Sequence, residues 1–159
     1  MRLVVLLSKV LSRFMYVVAG LALTTIMFLT VADVFLRSFK SPILGTYELV
    51  GLLGAVVIGF AIPQTSRLDG HVLMDFLPSS LEGGARRLLR ILTRSIGIAI
   101  FLIVGLNLWS MGVDFRLSGE VTPTLQLPLY PVAWGLSICC YIQCLVLLAE
   151  ILTTWMPET

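Results

Sequence analysis

Asp33 and Arg37 stand four residues apart with the acid first, and Glu48 follows a turn that contains Pro42 and Gly45. Acid before base at i,i+4 is the favourable order for a helical ion pair, and a carboxylate in the first turn of a helix is stabilised by the macrodipole. The three are expected to meet at one membrane boundary, as a clamp between consecutive helices or as a contact for a partner. Arg67, His71 and Asp75 recur at intervals of four and read as a loop-ordering cluster or a second partner contact. No chemistry of a reactive kind is visible. There is no nucleophile with a base and no phosphate-binding loop, and His71 is the single histidine, so a paired axial haem ligand is excluded. Cys139, Cys140 and Cys144 are odd in number and far from it, which fits helix packing and not a disulfide framework or a zinc site. No catalytic residue, metal or cofactor is expected, and the chain does not read as an enzyme.

The elements that carry these residues are set by charge. Phe14–Ala32, Leu49–Ser66, Ser95–Val113 and Val121–Ala149 contain no Lys, Arg, Asp or Glu. A helix rises about 1.5 Å per residue, so some 20 apolar residues cross a hydrocarbon layer about 30 Å thick. A charged group at mid-depth costs several kcal/mol, which explains why the charges fall between the runs. Composition agrees, with 58% hydrophobic and 13% charged residues, against about 25% charged in soluble domains. A net charge of +2 is too small to suggest nucleic acid. The fold class is an all-α integral membrane protein with four transmembrane helices in one domain.

The expected boundaries are helix 1 at 14–36, helix 2 at 46–65, helix 3 at 91–113 and helix 4 at 129–153. A cytoplasmic loop occupies 66–90 and a periplasmic loop 114–128. Residues 1–13 repeat Arg2, Lys9 and Arg13 on one face among aliphatic residues. They read as an interfacial helical segment, with a helix continuous with the first span as the alternative. The first run is too long for the apolar core of a signal peptide and continues to Asp33. Ala85 to Arg94 places Arg86, Arg90 and Arg94 on one face, the pattern of a helix approaching anionic headgroups. Eight Lys and Arg lie on the side of the N-terminus and the second loop, against Arg37, Lys40 and Arg116 on the other, so both termini are expected in the cytoplasm.

Within the spans the polar residues are Thr24, Thr25, Asn107, Tyr141 and Gln143, none of them ionisable in the neutral range. Hydrogen bonds between helices, about 0.6 kcal/mol each, are their expected role. Gly51, Ala55 and Gly59 recur every four residues on helix 2, where small side chains let another helix approach closely. The neighbour could belong to this chain or to a partner.

The short polar segments carry a resemblance. Asp33-Val34-Phe35-Leu36-Arg37, then Pro42, then Gly45-Thr46-Tyr47-Glu48-Leu49, and later Arg67, Gly70-His71-Val72 and Asp75 follow one another in this order around the first two spans. Together with the proline-bearing loop from Thr122 to Pro131, the chain resembles the DctQ-like small membrane subunit of tripartite ATP-independent periplasmic (TRAP) transporters. Met74 departs from the branched aliphatic residue usual there. The resemblance implies a large multi-span permease subunit that holds the substrate and sodium sites. It also implies a periplasmic binding protein that delivers an organic acid, and a scaffold role for the small subunit in the bacterial or archaeal inner membrane, in contact with membrane lipids. Two other readings of the residues stay open: an autonomous oligomeric small transporter or channel, and an accessory or assembly subunit of another membrane complex.

Overall fold

A computed structural model describes residues 2–67 and 83–155. Four helices follow in order: α1 (Arg2–Ser38), α2 (Thr46–Arg67), α3 (Gly83–Ser118) and α4 (Tyr130–Trp155). All four are long and apolar enough to cross a membrane.

Two of the expected boundaries are corrected. For residues 2–13 the alternative holds, a helix continuous with the first span: α1 runs unbroken for 37 residues. Ser8, Ser12, Met15, Ala19 and Ala22 are buried along one face at spacings of three and four, so the packed stripe crosses the expected break. Likewise α3 begins at Gly83 and ends at Ser118, joining the expected approach helix and span into one element of 36 residues. Nothing at Arg13 or Arg90 breaks a helix; arginine marks a change of solvent and not of backbone. His71 and Asp75 lie outside the described residues.

The helix ends follow from local chemistry. Beyond α1, Lys40 takes a left-handed φ of 59°, and the Ser41 and Lys40 N–H groups reach the carbonyls of Leu36 (3.0 Å) and Arg37 (3.1 Å). That is a Schellman closure. Gly119 (φ 68°) closes α3 in the same way, with the Glu120 N–H on the Phe115 carbonyl at 3.2 Å. Pro131 falls in the first turn of α4, where its missing N–H costs nothing. Pro63, by contrast, lies inside α2 and is fully buried.

Packing divides the bundle into two hairpins. α1 lies on α2 and α3 lies on α4, while α4 also contacts α2 and, more lightly, α1. α4 is thus the central helix: 39% of its apolar stretch is buried, against 11–17% in the others. The core residues are small, including Ala19, Ala22, Ala133, Ser137, Cys139 and Ala149. In lipid, where no hydrophobic force draws helices together, close backbone approach supplies the attraction. Much apolar surface on α1 and α3 remains exposed, as Phe28 (66%) and Ile103 (58%) illustrate. A bilayer or another apolar protein surface covers such side chains.

Candidate functional site

The polar residues singled out around the first turn gather at the end of the bundle that carries the α1–α2 and α3–α4 connections. They form two devices and not one. Asp33 is buried; its Oδ2 accepts from the Arg37 guanidinium at 2.8 Å, and its Oδ1 accepts the Ile43 N–H at 3.0 Å. One carboxylate therefore holds its own helix and the descending turn together. Thr46, also buried, adds a bond from its hydroxyl to the Ile43 carbonyl at 2.9 Å.

Glu48 turns the other way. Its carboxylate accepts the backbone N–H of Thr124 at 2.7 Å and of Leu125 at 3.0 Å. The expected clamp between helices 1 and 2 holds for two of its three residues, Asp33 and Arg37, which bond to Thr46 and Tyr47 at the start of α2. It is corrected for Glu48, which ties α2 to the α3–α4 connection. That connection is a folded loop with its own framework. Thr122 accepts at its carbonyl from the Gln126 N–H (3.1 Å) and at its hydroxyl from the Leu127 N–H (3.0 Å), while its own N–H reaches the Leu127 carbonyl (2.9 Å). Val121 and Pro128 form an antiparallel bridge beneath it. Gln126 adopts φ 53°, which turns the chain back on itself. The Leu125 side chain projects onto Gly45, which has φ 78° and no room for a Cβ.

Beside this loop, Trp134 packs between Trp109 (ring centroids 5.8 Å apart, stacked) and Tyr130 (5.3 Å, edge-on), with the Arg116 guanidinium 5.8 Å from its ring centre. Gly112 of α3 is the flat surface against which the Trp134 ring lies. Amphipathic rings of this kind favour a membrane–water boundary.

At the opposite end, Gln143 of α4 is buried and donates from its Nε2 to the Ser66 hydroxyl of α2 at 2.6 Å. Arg94 of α3 pairs with Glu150 of α4 at 2.5 Å. Ser137 donates to the Gly105 carbonyl at 2.8 Å, and the Cys144 thiol to the Ile98 carbonyl at 3.6 Å. The bonds from Ser137 and Cys144 were not foreseen, since backbone acceptors leave no mark in a sequence. Arg67 closes α2.

The other polar residues in the spans depart from expectation. Thr24 and Thr25 return to their own helix, on the Gly20 and Leu21 carbonyls at 2.9 and 2.8 Å. Asn107 is exposed and donates to the Ile103 carbonyl one turn back at 2.9 Å. The Tyr141 ring lies against Gly105, without a hydrogen bond to its hydroxyl among the described residues. Only Gln143 makes the bond between helices anticipated for this set. The small face of α2 also divides. Gly59 is pressed by Leu136 and Cys139 of α4, whereas Gly51 has nothing within 4 Å of where its Cβ would stand, and Ala55 is half-buried. Among the described residues no group of three His, Cys, Asp or Glu could hold a metal ion.

The described residues form a bundle of four helices long and apolar enough to cross a membrane, with ordered connections at one end. Residues 26–156 match the family model described as tripartite ATP-independent periplasmic transporters, DctQ component. The chain belongs to that family, and is a small membrane component of a TRAP transporter. The family is one of transporter subunits and not of enzymes. No curated protein and no solved structure gives a match.

Proposed function

We propose that this chain is the stationary scaffold of a secondary importer in a bacterial or archaeal inner membrane, with both termini in the cytoplasm. A large multi-span subunit carries the substrate and the coupling sodium ions, and a periplasmic binding protein delivers an organic acid. The observation that carries the reading is the commitment of three of the carboxylates near the helix ends. Asp33, Glu48 and Glu150 each bond to this chain's own groups, which leaves them as fasteners and not as ion ligands. Gln143 is likewise bonded within the bundle. A sodium site needs several converging oxygens and an organic anion needs a cation inside the bundle; the fasteners supply neither.

The test is reconstitution. Proteoliposomes with this chain alone should show no uptake under a sodium gradient. Addition of the large subunit and the binding protein should give uptake of one organic acid. Substitutions at Asn107 and Gln143 should lower uptake only in proportion to lost complex. Sodium-driven uptake by this chain alone, abolished at either residue, would establish an autonomous transporter instead.

A further inference from the structure

α3 has one face with no partner in this chain. Gly105 and Gly112 turn toward α4, where they receive Tyr141 and Trp134. The opposite face carries Asn107, Ser110 and Asp114, at i, i+3 and i+7, along an open groove that Ile103 and Met111 also line. All three polar residues are exposed. The same stripe continues through Ile100 and Ile96, both more than half exposed.

The polar groups on this face are not satisfied as lipid-facing groups elsewhere in the molecule are. On α1, the exposed Thr24, Thr25 and Thr30 each donate to a carbonyl of their own helix, at 2.9, 2.8 and 2.5 Å. That is how a hydroxyl meets hydrocarbon without a neighbour. On α3, Asn107 uses one amide proton on Ile103 and leaves its carbonyl oxygen open. Ser110 and Asp114 make no hydrogen bond or ion pair among the described residues. The charge-free stretch of α3 ends at Val113, so Asn107 lies about 9 Å along the helix inside that end, within the apolar layer. An open amide at that depth calls for a polar partner.

We infer that this stripe is the docking face for a transmembrane helix of the larger membrane subunit, one that presents hydrogen-bonding side chains to Asn107 and Ser110 and a cation to Asp114. The inference rests on the scaffold reading above. Charge identifies the occupant. A second copy related by a two-fold axis along the membrane normal would set Asp114 against Asp114, a like-charge contact in a poorly screened setting. A lipid tail offers nothing to Asn107 or Ser110. A heterologous helix with a Lys or Arg near the boundary satisfies all three positions.

The experiment co-expresses this chain with the large subunit of the same transporter. A photo-crosslinking residue in place of Ser110 should give an adduct with the large subunit. The Asn107→Leu/Asp114→Asn variant should reduce recovery of the large subunit about tenfold, the equivalent of losing one or two such contacts. The variant chain alone should keep its melting temperature, because its new side chains suit lipid better than the old. Asp114→Glu should retain the partner and Asp114→Lys should lose it. Adducts only to lipid or to a second copy, or undiminished recovery with the double variant, would overturn the inference. Failure of the unaltered chain to recover the large subunit would overturn the scaffold reading itself and this inference with it.

Discussion

The Leu125 side chain occupies the space in which a β-carbon of Gly45 would stand, with its Cδ1 2.6 Å from that position. Two connections separated by about half the chain are thereby fitted together at one point. Gly45 is required twice, once for its φ of 78° and once for its missing side chain. Gly45→Ala is therefore expected to cost about 1–2 kcal/mol for the left-handed backbone, with a further loss from the collision with Leu125. Adding Leu125→Ala should recover the second part and not the first. Thermal melts of the purified single and double variants check this: the two effects should be non-additive.

Glu48 fastens the same junction by accepting two backbone donors. Glu48→Gln keeps one acceptor oxygen, whereas Glu48→Ala keeps none, so alanine should be the more damaging. Either should speed hydrogen exchange at Thr124 and Leu125 while sparing Ile43, which is held by Asp33. Asp33→Asn should show the reverse pattern. Exchange measured by mass spectrometry on peptides from both connections distinguishes the two.

Gly59 and Gly51 make a matched pair on one helix. A leucine at Gly59 meets Leu136 of α4, whose Cδ2 is already 2.5 Å from the Cβ position. Overpacking of this kind costs about 1–3 kcal/mol. A leucine at Gly51 meets open space and should leave the melting temperature of the isolated chain unchanged. If Gly51→Leu then reduces recovery of the large subunit, the partner uses that surface.

The orientation rests on the distribution of eight and three positive charges. Single cysteines at Ser80 and Ser118, in a background without the native cysteines, report it by reaction with an impermeant thiol reagent in intact cells. Position 118 should label and position 80 should not. The opposite pattern would reverse the topology.

The four helices were readable because hydrocarbon tolerates so few charges, and the first connection because Pro42 and Gly45 limit what the backbone can do. The start of α4 at Tyr130 falls within one residue of the expected Leu129. What could not be read has a physical pattern of its own. Arg13 and Arg90 mark where the solvent changes, yet the helices continue through them. The partners of Glu48 are backbone N–H groups 76 and 77 residues away, and every residue but proline owns such a donor. Gly51 and Gly59 have identical side chains and different neighbours, since a small residue permits an approach without causing one. Asn107 was expected to bond between helices, and within this chain it bonds only to its own helix, on the face away from α4.

The bond from Glu48 to the α3–α4 connection has a consequence for biogenesis. During synthesis the α1–α2 hairpin is complete in the membrane while residues 124 and 125 have yet to leave the ribosome. The first hairpin must therefore wait with an unsatisfied carboxylate at its rim, and the second delivers the matching donors only when α3 and α4 insert as a pair. The junction is therefore a latch that can close only after both hairpins are in place.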